Sequence, residues 1–128
     1  MNGNNYLLDT NIVLYIANGN EDLRTFLDRQ RLSISVITEM ELLSFPTITR
    51  KEIAVLSNFI AEMEVVPIGS NVKKTAILIR RKYKLKLPDS IIAATAIVYD
   101  IPLITADKQF RNIEELQMLL YDTDQKRP

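Results

Sequence analysis

The 128 residues suffice for one domain with a sizeable core, since 47% are hydrophobic and 25% charged, an ordinary balance for a globular protein. Lys plus Arg and Asp plus Glu are equal at 16 each, so no global basic field advertises a nucleic-acid partner, and only a local patch could serve one. Without a single His or Cys, the chain is excluded from Ser-His-Asp and Cys-His mechanisms, His- or thiolate-ligated zinc, imidazole cleavage of RNA, and disulfides. Catalysis would fall to carboxylates, lysines, hydroxyls or a hard metal. No apolar run approaches the ~20 residues of a membrane span, and the N-terminal segment lacks the basic stretch and cleavage site of a signal peptide. A cytoplasmic location with no membrane partner is expected.

In chain order, residues 6–9 form a short apolar run that ends in polar residues, which predicts a buried strand. Leu23, Phe26 and Leu27 then fall at helical spacing, and residues 34–37 repeat the strand pattern. Directly after it, Thr38-Glu39-Met40-Glu41 fits a capping box in which Glu41 reaches back to Thr38. Ile53, Leu56, Ile60 and Met63 predict a second helix, and residues 65–68 a third strand. Val72, Ala76, Ile79 and Tyr83 recur at i, i+4, i+7 and i+11, with Ser70 placed to cap that helix. Residues 89–99 predict a further helix, whose Ala93, Ala94 and Ala96 allow close approach to a sheet. A strand over 102–105, an edge strand over 116–121 and a polar tail over 122–128 complete the chain. Strands apolar on both faces and separated by helices predict an α/β domain over 1–121, a three-layer α/β/α sandwich with a central parallel sheet.

In an open parallel sheet, ligands bind beyond the carboxyl ends of the strands, so acids there carry the functional interest. Asp9 ends the first strand, Asp107 follows the 102–105 strand by two residues, and Glu41 lies one helical turn beyond the second strand. Asp89 differs, following Pro88 at the start of a helix. Each also has a structural reading, since Asp before a helix is a common N-cap and Glu41 completes the capping box. Carboxylates gathered at such a place would suit Mg²⁺ or Mn²⁺, hard cations that prefer oxygen ligands. Such a site neutralises phosphodiester charge and supplies hydroxide near neutral pH.

Four segments carry a resemblance: Leu7-Leu8-Asp9-Thr10-Asn11, Ser35-Val36-Ile37-Thr38-Glu39-Met40-Glu41-Leu42, Pro88-Asp89-Ser90-Ile91-Ile92-Ala93-Ala94-Thr95-Ala96, and Leu103-Ile104-Thr105-Ala106-Asp107-Lys108-Gln109-Phe110. In order and spacing they resemble the PIN-domain ribonucleases, and most closely the VapC-type toxins of toxin-antitoxin pairs. The resemblance implies an α/β/α sandwich, a catalytic and metal-binding quartet of Asp9, Glu41, Asp89 and Asp107, and supporting roles for Asn11 and Thr105. It further implies an Mg²⁺- or Mn²⁺-dependent endoribonuclease, an RNA substrate, a cognate antitoxin that blocks the cleft, and commonly a homodimer. In the second segment Glu39 competes with Glu41, and the Ser-Val-Ile-Thr-x-x-Glu-Leu match selects Glu41.

Arg80-Arg81-Lys82-Tyr83-Lys84-Leu85-Lys86 places five cations in seven residues just before Asp89. Cations at a helix C-terminus complement its dipole and need no further purpose. Arg80, Arg81, Lys84 and Lys86 equally suit contact with the phosphates of an RNA entering the acidic site. Among rivals, a response-regulator receiver needs a phospho-accepting Asp after a middle strand, where this chain has Gly69-Ser70. A haloacid-dehalogenase-like phosphotransferase needs an acid two residues after Asp9, where Asn11 stands. The alternative from another class is a catalytically silent PIN fold used as a protein-binding or regulatory module.

Overall fold

The computed structural model describes residues 4–122. Five short strands, β1 (Asn5–Leu8), β2 (Arg31–Ser35), β3 (Glu64–Val66), β4 (Leu103–Thr105) and β5 (Met118–Leu120), form one parallel sheet in the order β3-β2-β1-β4-β5. Six helices connect them: α1 (Thr10–Ala17), α2 (Glu21–Leu27), α3 (Val36–Leu43), α4 (Arg50–Ala61), α5 (Ser70–Tyr83) and α6 (Leu87–Tyr99). A 3₁₀ turn, Lys108–Asn112, follows β4.

The alternation of strand side chains builds the three layers. On β1, Tyr6 and Leu8 enter a core with Ile12, Ile34, Leu42, Leu56 and Ile104, whereas Leu7 enters the opposite core with Ile79, Ile92, Leu103 and Phe110. Each face of the sheet is therefore covered by helices, as the apolar strands require. The α6 segment is buried along most of its length, and Ala93, Ala94 and Ala96 are at most 2% exposed. Thr95 is accommodated there because its hydroxyl donates to the Ile91 carbonyl at 2.7 Å.

Several boundaries differ from expectation. The second strand ends at Ser35, because the Ser35 hydroxyl accepts from Ile37 N and starts α3 there. The Thr38–Glu41 capping box is consequently not the N-terminus of that helix: Thr38 is fully buried inside it. The third strand stops at Val66, before Pro67, which has no N–H to continue a ladder. Ser70 is the first helical residue of α5, while Gly69 occupies the cap position with no side-chain bond. The helix α1 was not anticipated from the sequence, although Ile12, Val13 and Ile16 bury one face of it. The polar tail lies, beyond Asp122, outside the described residues. No helix among the described residues is long and apolar enough to cross a membrane.

Candidate active site

The arrangement starts where β1 ends. Asp9 leaves the strand in extended conformation and caps α1, its Oδ1 accepting from Thr10 N at 2.8 Å. The two central strands are in register, so β4 brings Thr105 alongside: its hydroxyl donates to Asp9 Oδ2 at 2.6 Å and accepts from Asp107 N at 3.0 Å. Asp107 in turn caps the 3₁₀ turn, its Oδ1 accepting from Gln109 N at 3.0 Å. The Gln109 side-chain amide then donates to Asp107 Oδ2 at 2.6 Å and to Asp89 Oδ2 at 3.2 Å. On the other side of Asp9, the Thr10 hydroxyl donates to Glu41 Oε1 at 2.6 Å. A single hydrogen-bonded chain thus runs Glu41, Thr10, Asp9, Thr105, Asp107, Gln109, Asp89.

All four acids line one open cleft of about 450 Å³, together with Thr10, Asn11 and the loop residues Ser44, Phe45 and Pro46. Glu41 faces this cleft and Glu39 is not among its lining residues. Asp89 lies in the first turn of α6, but the cap position there is Lys86, so its carboxylate is not spent on capping. None of Arg80, Arg81, Lys84 and Lys86 lines the cleft. Lys82, the fifth cation of that segment, forms an ion pair with Glu115 at 3.0 Å.

Charge is concentrated here at a cost. Asp9 is 6% exposed, and burial pushes its carboxyl above the ordinary aspartate value; the Thr105 and Thr10 bonds oppose that shift, and the charges of Asp89 and Asp107 add to it. Burial also raises Asp89, followed by repulsion from Asp107, while Gln109 and Lys86 act in the opposite direction and Glu41 adds to the rise. Every buried side-chain polar atom among the described residues nonetheless has a partner.

Residues 6–116 match the PIN domain family. The chain belongs to that family. Its PIN fold is shared by solved structures over nearly the whole chain. A toxin-antitoxin complex from Klebsiella pneumoniae contains a chain 29% identical to it, with TM-score 0.76, covering 87% of this chain and 94% of that one. The DNA-bound VapBC from Salmonella typhimurium matches with TM-score 0.82 at 23% identity, covering 93% and 98%, and VapBC2 of Rickettsia felis, bound to a promoter DNA fragment, with 0.81 at 23%, covering 92% and 99%. Among curated proteins none matches the chain.

As a donor set, the four carboxylates of this PIN domain fit a hard divalent cation. As they stand, however, no three acidic side chains of the described residues form a group that could hold a metal ion. Thr10, Thr105 and Gln109 each donate to a carboxylate oxygen of the cleft. Sequence reasoning had not singled out Thr10 or Gln109. Thr10 adjoins Asp9, which was a usable signal; Gln109 meets Asp89 across 20 residues and carried none.

Proposed function

We propose that this PIN domain is a metal-dependent endoribonuclease, acting as the toxin of a toxin-antitoxin pair. The observation that carries the reading is the convergence of Asp9, Glu41, Asp89 and Asp107 on one cleft in a chain of the PIN family. A bound Mg²⁺ or Mn²⁺ supplies charge neutralisation at the phosphate and a water of lowered pKa. The four carboxylates are its ligands and the source of the cleft's negative field. Thr105 and Thr10 fix the carboxylates of Asp9 and Glu41, which limits the reorganisation needed when substrate arrives. Asn11, on the cleft wall beside Asp9, is an uncharged donor suited to a substrate oxygen.

Hydrolysis is in line: a water oxygen bonds to phosphorus, the bond from phosphorus to the 3′ oxygen breaks, and that oxygen takes a proton. The products are a 5′-phosphate and a 3′-hydroxyl. A chain with no His has no imidazole to activate the RNA 2′-hydroxyl, which supports water as the nucleophile. Arg80, Arg81, Lys84 and Lys86 lie outside the cleft and, in this reading, neutralise backbone phosphates of a longer RNA. The similar toxin-antitoxin and VapBC structures support a cognate antitoxin as partner; in this reading the antitoxin covers the cleft and the chain pairs with a second copy of itself.

One observation favours the silent-module alternative, namely that among the described residues no three acidic side chains are grouped to hold a metal ion. Inducing the chain in cells without its neighbouring gene product, and mapping new RNA 5′ ends, separates the two. New 5′-phosphate ends that vanish with Asp107→Asn support the nuclease. Their absence, with the protein folded and abundant, overturns it.

A further inference from the structure

The acids of the cleft are not treated alike by their neighbours. Two of them, Asp89 and Asp107, are joined by one uncharged side chain, the Gln109 amide, which gives a hydrogen to an Oδ2 of each. An –NH₂ group has two hydrogens and a partial positive charge, and between two carboxylates it does electrostatically, in weaker form, what a cation would do. Its backbone needs no rearrangement to withdraw. Gln109 N is held independently by Asp107 Oδ1, the residue sits on a short 3₁₀ turn, and its side chain is only half-buried, so rotation about its own side-chain bonds suffices.

We infer that the Gln109 amide is a built-in placeholder for the divalent cation, tying Asp89 to Asp107 until an ion held by these acids would displace it. This rests on the metal-site reading above and assigns Gln109 a positioning role within it. Two consequences follow. Without metal, Gln109 offsets the repulsion between the two acids that would otherwise strain the fold. With metal, its bonds compete, so the measured affinity is lowered by the fraction of molecules in which the amide is in place. One charge-assisted bond in a partly exposed site corresponds to roughly tenfold in that equilibrium.

The test uses Mn²⁺ titration calorimetry and thermal melts in chelator on the full chain, comparing wild type, Gln109→Met and Gln109→Lys. Met keeps the length and removes the donors; Lys puts a tethered cation in the same place. The expected result is opposite signs. Gln109→Met melts lower in chelator and binds Mn²⁺ about tenfold tighter, whereas Gln109→Lys melts as high as wild type or higher and binds Mn²⁺ at least about tenfold more weakly. A residue that only fills space would leave the Gln109→Met melting point and binding constant at their wild-type values. Mn²⁺ binding that is abolished by Asp107→Asn but equal in wild type and Gln109→Met removes the placeholder and leaves the metal site standing. No Mn²⁺ binding by folded wild-type protein or by either Gln109 variant overturns both. If Gln109→Met does not fold, Gln109→Lys decides: undiminished Mn²⁺ affinity overturns the placeholder, and weakened affinity with an unlowered melting point supports it.

Discussion

Replacing Thr105 by Val tests the hydrogen-bonded frame of the cleft with little change of shape. Thr105 is fully buried, its hydroxyl donates to the buried Asp9 carboxylate at 2.6 Å, and it accepts from Asp107 N at 3.0 Å. Valine matches the volume, so no cavity term enters and the cost is polar. Losing a bond to a charged acceptor costs ~1.5–3 kcal/mol, and a half-buried N–H left unpaired adds roughly 1. The sum, about 3 kcal/mol, corresponds to a fall in Tm of about 10 °C for a chain of this length. Urea denaturation at pH 7 in chelator measures it. A double-mutant cycle with Asp9→Asn localises it, because a neutral acceptor holds the hydroxyl less tightly and Thr105→Val should cost about 1 kcal/mol less in that background. A loss below about 0.5 kcal/mol, or an equal loss in both backgrounds, would refute the claim that Thr105 stabilises the Asp9 charge.

Other outcomes follow from the same geometry. Glu41→Gln should reduce RNA cleavage on the order of 10²-fold or more, and Glu39→Gln should leave it near wild type, since only Glu41 lines the cleft; the reverse in a cleavage assay would put the wrong acid in the site. Removing any one of Arg80, Arg81, Lys84 and Lys86 should reduce the salt slope of single-stranded RNA binding by roughly 0.7, and a variant lacking all four with an unchanged slope would return them to a solvated helix end. Glu115 is held down to about 2, first by the Tyr83 hydroxyl and then by Lys82. With its folded value depressed, its contribution is complete above the ordinary glutamate value and disappears as pH falls toward about 2. The stability deficit of Glu115→Gln in chemical denaturation should therefore be present at pH 7 and shrink below pH 4.5; a deficit that grows with acid would refute this.

The layers of this fold were legible because they depend on pattern alone. Residues 6–8 and 102–104 are apolar on successive positions, so the central strands had to be covered on both faces, and Leu7 and Leu8 enter opposite cores accordingly. Asp9 and Asp107 could be singled out because a charged residue at the end of such a strand faces the ligand side of the sheet. The choice of Glu41 over Glu39 rested on likeness of segments, and it is the phase of α3 that turns Glu41 toward Thr10 and the cleft. Caps differ from expectation at two helices: Ser35, whose hydroxyl accepts from Ile37 N, caps α3 ahead of Thr38, and Gly69, with no side-chain bond, takes the cap position of α5 ahead of Ser70. The helix α1 was hidden by its own start, since Asp9-Thr10-Asn11 reads as a polar strand end while Asp9 is in fact its cap. Gln109 was beyond reach, as an amide side chain carries no periodicity and its link to Asp89 exists only after α6 and the turn following β4 have met.

The central claim, cleavage of RNA phosphodiesters by water at a four-carboxylate site, is tested most directly by incubating the purified chain with a mixed RNA pool in Mg²⁺ or Mn²⁺ and in chelator, and determining the chemistry of the new ends. The account predicts 5′-phosphate and 3′-hydroxyl products that require the metal and disappear in Asp107→Asn. Cleavage that persists in chelator, leaves a 2′,3′-cyclic phosphate, or continues at the wild-type rate in Asp107→Asn would contradict it.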